Sequence, residues 1–330
     1  MVVLQANKWF GVLTNLVAFS QVLDTIQSGS VSKLVRSAED IQTPYGDGKV
    51  VRSVNIPEVE DLDAENSTLL TTTKPDVREQ YFPISAYKVV PLTINRYLIR
   101  GAFTDETAMA EFTAYVMGTM EKAREVYLYG EILKQYVIYN PAQATQKVSV
   151  NLTKITNTMT EVEKQFARTA NANAIVKMLI RILRDMAAPT SDYNDDGLTE
   201  IINGDDLKFI INSDFDVEMI VETFATLYGP GKITEEERWN ETISIPPKQL
   251  KKAGAADPST IIGWFGHRKK VQFGYFYVVA TSFFDGSTLN QNNWLHFSYY
   301  MALVNSLPCV KLTANYVEPA AAAAKTTAVK

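Results

Sequence analysis

Cysteine and histidine are scarce in this chain of 330 residues, which contains one cysteine and two histidines. A single cysteine excludes an intramolecular disulfide and a cysteine-rich zinc site. Because Cys309 lies in the apolar run from Leu307 to Leu312, we expect a small buried side chain at that position. Stability therefore has to come from packing or from assembly with other chains.

The sequence motifs of catalysis are also missing. The chain has no glycine-rich phosphate loop of either standard spacing, no His-Glu-x-x-His motif and no Gly-x-Ser-x-Gly motif. His267 begins the basic run His267-Arg-Lys-Lys270, which is more typical of a solvated turn than of a phosphate site. His296 lies on a predicted strand and is interpreted as a structural side chain. We therefore expect no catalytic residue and no cofactor.

Targeting and membrane signals are not found either. The apolar stretch from Trp9 to Ile26 is interrupted by polar residues, which indicates an amphipathic helix without the features of a signal peptide, and no other stretch approaches membrane length. A composition of 46% hydrophobic and 21% charged residues is typical of a soluble globular protein. The net charge of −5 argues against general nucleic-acid binding. We expect no membrane contact and a protein made in the cytoplasm.

The strongest positive feature is a long proline-free helix predicted over residues 104–139. Thr104 is a suitable N-cap, and Asn140-Pro141 ends the run. At ~1.5 Å per residue the helix spans roughly 50 Å, longer than an ordinary globular core. Apolar residues recur along it at alternating three- and four-residue spacing and predict one buried stripe. The stripe consists of Met109, Phe112, Val116, Ala123, Val126, Gly130, Leu133 and Val137.

A charged face in the middle of this helix shows that it is neither wholly buried nor a membrane span. The face is formed by Glu121, Lys122, Arg124 and Glu125. A coiled-coil dimer is an alternative, but only the small residues Ala123 and Gly130 occupy the middle of its seam. Residues of this size suit packing against a sheet or a loop better.

An extended hairpin is predicted immediately before the helix. One arm is the β-rich run from Val50 to Ile56, and the other is the alternating run from Ile84 to Ile94. The intervening residues 59–80 are acidic and threonine-rich, with too little apolar content for a core of their own. Because two isolated strands are only marginally stable in water, we expect a neighbouring subunit to cover them.

The remaining segments mix strands and helices without the regular spacing of βαβ units, which favours an α+β fold. Ser213, followed three residues later by Asp216, resembles a capping box for a helix over residues 217–227. A second helix is predicted over residues 173–186, and the lysine-rich residues 248–254 are predicted to join two strands. The strands are predicted at residues 147–152, 207–211, 242–245, 261–265, 272–284 and 294–303.

One acidic loop, Asp192-Tyr-Asn-Asp-Asp-Gly197, copies the first half of an EF-hand calcium loop. Its candidate cation ligands are Asp192, Asn194 and Asp196. The twelfth position, where a bidentate glutamate is needed, holds Asn203. An ordinary acidic loop is therefore the preferred interpretation, and no metal is predicted.

The order of these parts resembles the major capsid protein of tailed bacteriophages, the Hong Kong phage fold. More closely, the helix is similar to the spine helix of head proteins from small short-tailed phages of the Bacillus podophage group. The similar segments are Gly101-Ala-Phe103, Glu111-Phe112 and Glu125-Val126-x-x-Tyr129.

Two later segments extend the resemblance over most of residues 80–315. Leu207–Ile211 followed by Asp214–Glu218 is similar to that group's strand-to-helix segment, and Trp264–Ala302 to its last aromatic stretch. Larger members carry an immunoglobulin-like module at the C-terminus. Here an alanine-rich tail follows Tyr316, so no such module is expected.

The resemblance implies a tailed-phage capsid fold with a role for each segment. It implies an N-terminal arm (1–44), an extended β-hairpin loop laid across an adjacent subunit (45–98), a peripheral domain (99–154 and 271–316) with the spine helix (104–139), an axial domain (155–270) and a tail (317–330).

The charged residues of the hairpin and of the helix are the expected assembly contacts. Closed rings of identical subunits need heterologous contacts, in which one surface meets a different surface on the next copy. The residues are Glu60, Asp61, Asp63, Lys74, Arg78, Glu121, Lys122 and Arg124.

The implied function is to build, as pentamers and hexamers, the icosahedral virion head that encloses genomic DNA with weak local contacts. Portal and scaffolding proteins are the implied partners, and assembly takes place in the bacterial cytoplasm. Two alternatives stay open. An encapsulin-like compartment shell has the same broad fold, and a soluble hydrolase or metal-binding protein would have to use the polar residues 192–200.

Overall fold

The structure is a computed structural model that describes residues 30–40, 48–57, 59, 74–95, 106–202, 204–219 and 242–318. The predicted helix at 9–26, the cap Thr104 and most of the alanine-rich tail lie outside the described residues. The elements are α1 (Ser30–Ala38), β1 (Gly48–Val54), β2 (Val77–Pro83), β3 (Ala86–Asn95), α2 (Glu106–Ile138), β4 (Lys147–Thr153), α3 (Glu161–Met186), β5 (Leu207–Asn212), α4 (Ser213–Met219), β6 (Thr242–Ile245), α5 (Pro247–Lys252), β7 (Ile261–His267), β8 (Val271–Asp285), β9 (Asn290–Leu303) and β10 (Cys309–Val317).

The chain divides into two compact units, and its helices and sheets confirm the α+β class. Unit 1 comprises Met1–Val50, Tyr81–Ile132 and Val271–Ala302, and unit 2 comprises Val51–Gln80, Leu133–Lys270 and Leu303–Lys330. These boundaries differ from those of the expected peripheral and axial domains, because β4 and β10 belong to the sheet of unit 2. None of the helices in the described part of the chain is both long enough and apolar enough to cross a bilayer.

Unit 1 is built on a three-stranded sheet in the order β3-β9-β8. β3 runs antiparallel to β9, from Ala86 opposite Tyr299 to Asn95 opposite Asn290. Aromatic contacts join α2 to this sheet. The Tyr127 ring packs edge-on at 6.1 Å from the ring of Tyr299, and the two hydroxyls lie 2.9 Å apart.

Helix α1 is attached to β8 and β9 of the same unit. Leu34 and Ala38 are fully buried. The backbone N–H of Asp40 donates to the carbonyl of Phe273 at 2.8 Å, and the hydroxyl of Tyr300 donates to the Asp40 carboxylate at 2.9 Å. Lys49 forms an ion pair with the same carboxylate. This helix was not among the elements predicted from the sequence.

The hairpin prediction was right for its first arm and wrong for its second. β1 pairs with β2, whereas the alternating run that was expected to pair with it becomes β3 and pairs with β9. Residues 77–80 were assigned to the unstructured tip, yet they belong to β2. All but two residues of β2 are exposed, so its sequence has no apolar alternation by which a strand is recognised.

The long helix was predicted correctly in extent, since α2 runs from Glu106 to Ile138. Its buried stripe was predicted correctly at Leu133, which is buried, and wrongly at three positions in the middle of the helix. Val126 is 48% exposed, and Ala123 and Gly130 are exposed as well. The true face includes tyrosines, whose rings bury a large apolar area but which the stripe left out. Its buried residues are Met120, Leu128, Tyr129, Ile132, Leu133 and Tyr136.

Unit 2 is built on a five-stranded mixed sheet in the order β4-β10-β7-β5-β6. β10 lies parallel to β4 and antiparallel to β7, and all six residues of β5 are buried. Helix α3 covers this sheet with Ile175, Leu179 and Ile182, which share one core cluster with Phe209 and Phe265. The sheet and the helix therefore form a single apolar core in this unit.

Helix α3 begins at Glu161 rather than at the predicted residue 173. A capping box sets this start: Thr160 accepts from the backbone N–H of Glu163, whose carboxylate accepts from the N–H of Thr160 at 2.8 Å. The first ten residues of the helix are largely exposed, so they show no apolar stripe. The start was missed for that reason.

Other predictions in unit 2 were mostly correct. β4, β5, β6 and β7 lie where strands were expected, as do β8 and β9 in unit 1. Helix α4 starts at Ser213 instead of residue 217, and the lysine-rich connection contains the short helix α5. β10 was not predicted as a strand. Cys309, its first residue, is buried as expected.

Gly266 in β7 provides a test of the pairing between β7 and β10 in the sheet of unit 2. A Cβ atom at this position would lie 2.5 Å from the carbonyl oxygen of Pro308 and 2.6 Å from the Cα of Cys309, so Gly266→Ala must push β10 away. We expect a loss of about 1–3 kcal/mol in the free energy of unfolding, measured by urea titration of the unassembled subunit. Gly130→Ala is the control, because a Cβ atom there would meet no atom within 4 Å other than its chain neighbours and the backbone of its own helix. The substitution should stabilise α2 by about 0.5–1 kcal/mol. Equal stability of the two variants would contradict the strand order.

Candidate functional site

The β1–β2 ribbon is hydrogen-bonded to the rest of unit 2 through Asn55, at the end where β1 leads into the connection to β2, and through Gln80 within β2. The side-chain oxygen of Asn55 accepts from the backbone N–H of Thr199 at 3.0 Å. The side-chain amide of Gln80 donates to the carbonyl of Leu303 at 3.0 Å and accepts from the N–H of Asn305 at 2.9 Å. Three hydrogen bonds therefore hold the ribbon to the rest of unit 2, one at Asn55 after β1 and two at Gln80 in β2.

The rest of the ribbon leaves apolar side chains in water. Its cross-strand ion pair, Arg52 to Glu79 at 2.8 Å, is exposed on both sides and contributes little to stability. An isolated two-stranded ribbon with this surface needs a covering partner. The exposed apolar side chains are Val50, Val54, Ile56, Val59, Val77 and Tyr81.

The predicted assembly residues are described only in part. Glu60, Asp61 and Asp63 lie outside the described residues. Lys74 is exposed, and Arg78 pairs with Asp76 at 3.2 Å.

On α2, the charged face has partners within its own subunit. Glu121 pairs with Arg124, whose guanidinium lies 5.0 Å from the centre of the Tyr275 ring. The ammonium of Lys122 lies 5.4 Å from the centre of the Tyr115 ring. Their role in assembly stays a prediction.

The acidic loop closes on its own backbone. The side-chain oxygen of Asn194 accepts from the N–H of Leu198 at 2.8 Å, and its amide donates to the carbonyl of the same residue. Asn194 is buried, while Asp192 is exposed. Across the residues that the structure describes, no group of three or more His, Cys, Asp or Glu is placed to hold a metal ion. The side chain of Asn194 thus serves the turn.

A buried ion pair lies beside this loop in unit 2. The ammonium of Lys270, 1% exposed, donates to the Asp195 carboxylate and to the carbonyl of Leu307, each at 2.8 Å. The hydroxyl of Tyr139 donates to Asp195 at 3.0 Å, and the backbone N–H of Ala142 donates at 3.0 Å. We call Lys270, Asp195 and Tyr139 the ionic junction. The prediction of a solvated turn was therefore wrong for Lys270.

Burial controls the chemistry around the ionic junction. Desolvation raises the pKa of the Tyr139 phenol far above its usual range. Burial likewise raises the pKa of the Cys309 thiol to about 12, so the thiol stays protonated and unreactive at neutral pH. Desolvation raises the pKa of Glu200 to about 7, against an opposing effect of Lys270. These groups are suited to holding structure rather than to nucleophilic catalysis.

The ionic junction joins segments that are remote in the sequence. It connects the residue after α2, the acidic loop and the residue before β8, and Gln146 adds a hydrogen bond to the carbonyl of Tyr193 at 2.8 Å. The ionic junction was not predicted from the sequence, because the partner of Lys270 lies 75 residues earlier. The only available signal was a lysine directly before a long apolar strand.

Solved structures with a similar fold are phage capsid proteins. The capsid structure of Staphylococcus phage Andhra matches with a TM-score of 0.61 at 11% identity, over 84% of this chain and 83% of that chain. The mature capsid of bacteriophage PhiM1 matches with a TM-score of 0.54 at 9% identity, over 86% and 87% of the two chains. The capsid structure of Cyanophage P-SCSP1u gives 0.51 at 11% identity, over 84% and 86%. The fold is thus that of a phage capsid subunit.

The sequence matches the family described as Phi29-like phage major capsid protein over residues 4–313. The chain belongs to this family and is a structural protein of the bacteriophage head shell. No curated protein matches the sequence. The resemblance, the capsid fold and the shell function expected from the sequence are confirmed.

Removing one charge of the ionic junction should lower the free energy of unfolding. Lys270→Met leaves the Asp195 carboxylate buried without its cation, which we expect to lower the free energy of unfolding by about 3–5 kcal/mol. Adding Asp195→Asn removes the orphaned charge and should recover part of that loss. Urea unfolding of the two single variants and the double variant measures the coupling. Strictly additive losses would show that the pair does not act as a unit.

Glu200 should make stability depend on pH in a defined direction. Its folded pKa is raised from 4.5 to about 7, so the unfolded chain ionises first as the pH rises. The folded state is therefore destabilised progressively between pH 4.5 and 7 and fully above 7, while both states are neutral below this range. Glu200→Gln should be more stable than wild type at pH 8, by on the order of 1–2 kcal/mol after discounting for partial exposure.

The difference between Glu200→Gln and wild type should become small at pH 4, below both pKa values, where the carboxyl of the wild type is mostly neutral in both states. Urea titrations at pH 4, 6 and 8 test this. A constant difference across the three pH values would show that packing, not ionisation, is responsible.

Proposed function

We propose that copies of this chain form pentamers and hexamers that close into an icosahedral head around the phage genome. The single observation that carries this proposal is the β1–β2 ribbon, which is hydrogen-bonded to unit 2 at Asn55 and Gln80 and exposes a row of apolar side chains along its length. In the proposed shell, the ribbon lies on an adjacent subunit, which covers Val54 and Ile56.

The contact is weak for one pair of subunits and strong for a shell. Val54 and Ile56 are each more than half exposed, so covering them gains on the order of 1 kcal/mol per side chain. Each subunit both donates a ribbon and receives one, because closed rings use heterologous contacts. Many modest contacts then add up to a stable particle that is still able to correct errors during assembly.

The two compact units provide the parts of such a shell. Unit 1 holds most of α2 and the three-stranded sheet, which suits a peripheral domain. Unit 2 holds the five-stranded sheet, which suits an axial domain at the centre of each ring. Scaffolding and portal proteins complete assembly in the host cytoplasm. With a net charge of −5, the shell encloses DNA through local and weak contacts.

Shortening the ribbon tip tests this proposal. Deleting residues 60–73 and inserting a short Gly-Ser turn retains β1 and β2. We expect a soluble, folded subunit that forms no closed shells, because part of the proposed contact between subunits is removed. Negative-stain electron microscopy of wild type and variant, each with and without a co-expressed scaffolding protein, measures the outcome.

The urea unfolding curve of the unassembled variant is the control for folding, and it should match that of wild type. Shells of normal size from the shortened variant would contradict the role of the ribbon. Monodisperse monomers from the wild type under all conditions would contradict the shell function.

A further inference from the structure

A surface cavity of about 420 Å³ lies at one end of the five-stranded sheet in unit 2. This volume falls within the range of roughly 300–1,000 Å³ that is typical of binding sites. The pairing registers bring the ends of β4, β5 and β10 and the start of β7 to this end of the sheet. We call it the Tyr316 cavity. Its lining includes Lys154, Ile155, Asp214, Phe215, Ser259 and Tyr316.

Hydrogen bonds fix the walls of the Tyr316 cavity. The side-chain oxygen of Asn171 on α3 accepts from the backbone N–H of Thr153 at 2.7 Å, and its amide donates to the Thr153 carbonyl at 3.0 Å. The hydroxyl of Tyr316 donates to the carbonyl of Ser259 at 3.1 Å, which joins the end of β10 to the residues before β7. Because the walls are already in place, little ordering entropy opposes docking.

The walls combine an apolar surface with one carboxylate. Tyr316 is 41% exposed and shares the lining with Ile155 and Phe215. Asp214 is exposed, and its carboxylate forms no ion pair with any residue that the structure describes. Lys154 is paired with Glu318 at 2.9 Å, so it offers no free cation to the cavity. A complementary partner is therefore uncharged along part of its length and carries a positive charge.

The described chain ends at the rim of this cavity. The carbonyl of Val317 accepts from the N–H of Lys154 at 3.0 Å, and the carboxylate of Glu318 pairs with the ammonium of the same lysine. An exposed ion pair of this kind adds little to stability. Its position matters more, because Lys154 lines the cavity and residues 319–330 continue the chain from this point.

Residues 319–330 have a composition that suits the cavity. Pro319 is followed by five alanines, which are small and uncharged, and Lys325 is the first charged residue after Glu318. No acidic residue occurs in this segment. At ~3.3 Å per residue, an extended chain covers roughly 23 Å between Glu318 and Lys325. That length is sufficient to cross a cavity of about 420 Å³.

We propose that residues 319–330 fold back into the Tyr316 cavity of their own subunit, where the alanines cover the apolar wall and Lys325 pairs with Asp214. Residues 220–241 also continue from an element of the wall, since they follow α4. They contain five glutamates and two basic residues, and this excess of negative charge opposes a position beside Asp214. Both partners belong to one chain, so the proposal is independent of the proposed shell.

Disulfide formation in the unassembled full chain tests the proximity. Ser259→Cys combined with Ala322→Cys should form a disulfide within one chain under mild oxidation, because a bridge requires Cα atoms within ~7 Å. The control combines Ala322→Cys with Asp206→Cys, an exposed position at the other end of β5. We expect the first pair to close at least tenfold faster. The native thiol of Cys309 is buried and takes no part.

The charge of Lys325 is tested in the same disulfide pair. Lys325→Glu places a carboxylate beside Asp214 and should slow closure at least fivefold. Lys330→Glu is the matched control and should leave the rate of closure near its original value.

Truncation tests whether the segment covers the cavity. When the chain is ended after Glu318, hydrogen–deuterium exchange of peptides covering residues 153–155 and 213–216 should become at least threefold faster, because the cover is removed. The truncation leaves every residue of the cavity wall in place.

Three outcomes would overturn the proposal. Equal closure rates for cysteines at positions 259 and 206 would show that the segment has no preferred site. A disulfide that links two chains would assign the segment to a neighbouring copy. Unchanged exchange after truncation would show that other residues cover the cavity, with residues 220–241 the next to be tested. None of these measurements depends on shell formation, so each outcome leaves the proposed function standing.

Discussion

Strand pairing between segments far apart in the chain is the constraint on which both compact units depend. In unit 2, β10 lies between β4 and β7 and is hydrogen-bonded to both, so the five-stranded sheet is incomplete until the last described strand is in place. In unit 1, β3 finds its partner in β9 rather than in the nearby β1. Folds of this kind form slowly, because chain entropy is lost before the contacts are gained. A capsid subunit of this family therefore completes its fold only when nearly all of its sequence is available.

The ionic junction follows from the same constraint. The end of α2, the acidic loop and the turn between β7 and β8 converge in unit 2, and their backbone polar groups need partners once water is excluded. Lys270 and Asp195 supply those partners, yet removing two charges from water offsets much of their attraction. The pair thus contributes more to specifying one arrangement of these segments than to net stability. Burial likewise raises the pKa of Glu200 nearby, which has no ion pair of its own among the residues that the structure describes.

The surfaces that the subunit leaves uncovered share one design. The β1–β2 ribbon is held by hydrogen bonds at Asn55 and Gln80, and strand β8 is held by the burial of its first five residues. Both leave apolar side chains exposed. An element that is held in this way already has its geometry before it docks, so less conformational entropy is lost when a partner binds. In the proposed shell, every copy both presents and receives such elements, so that neighbouring copies complete the apolar surfaces of each subunit.

Local sequence patterns determined the length of α2, the positions of β4 to β9, the α+β class and the burial of Cys309, because each follows from the period or the polarity of consecutive residues. The tertiary structure alone decided three things. It paired β1 with the polar strand β2, it turned the tyrosines of α2 rather than Val126 toward the core, and it buried Lys270 against Asp195. In each case the deciding partner is distant in the sequence, and local polarity does not reveal which surfaces meet once the chain has folded.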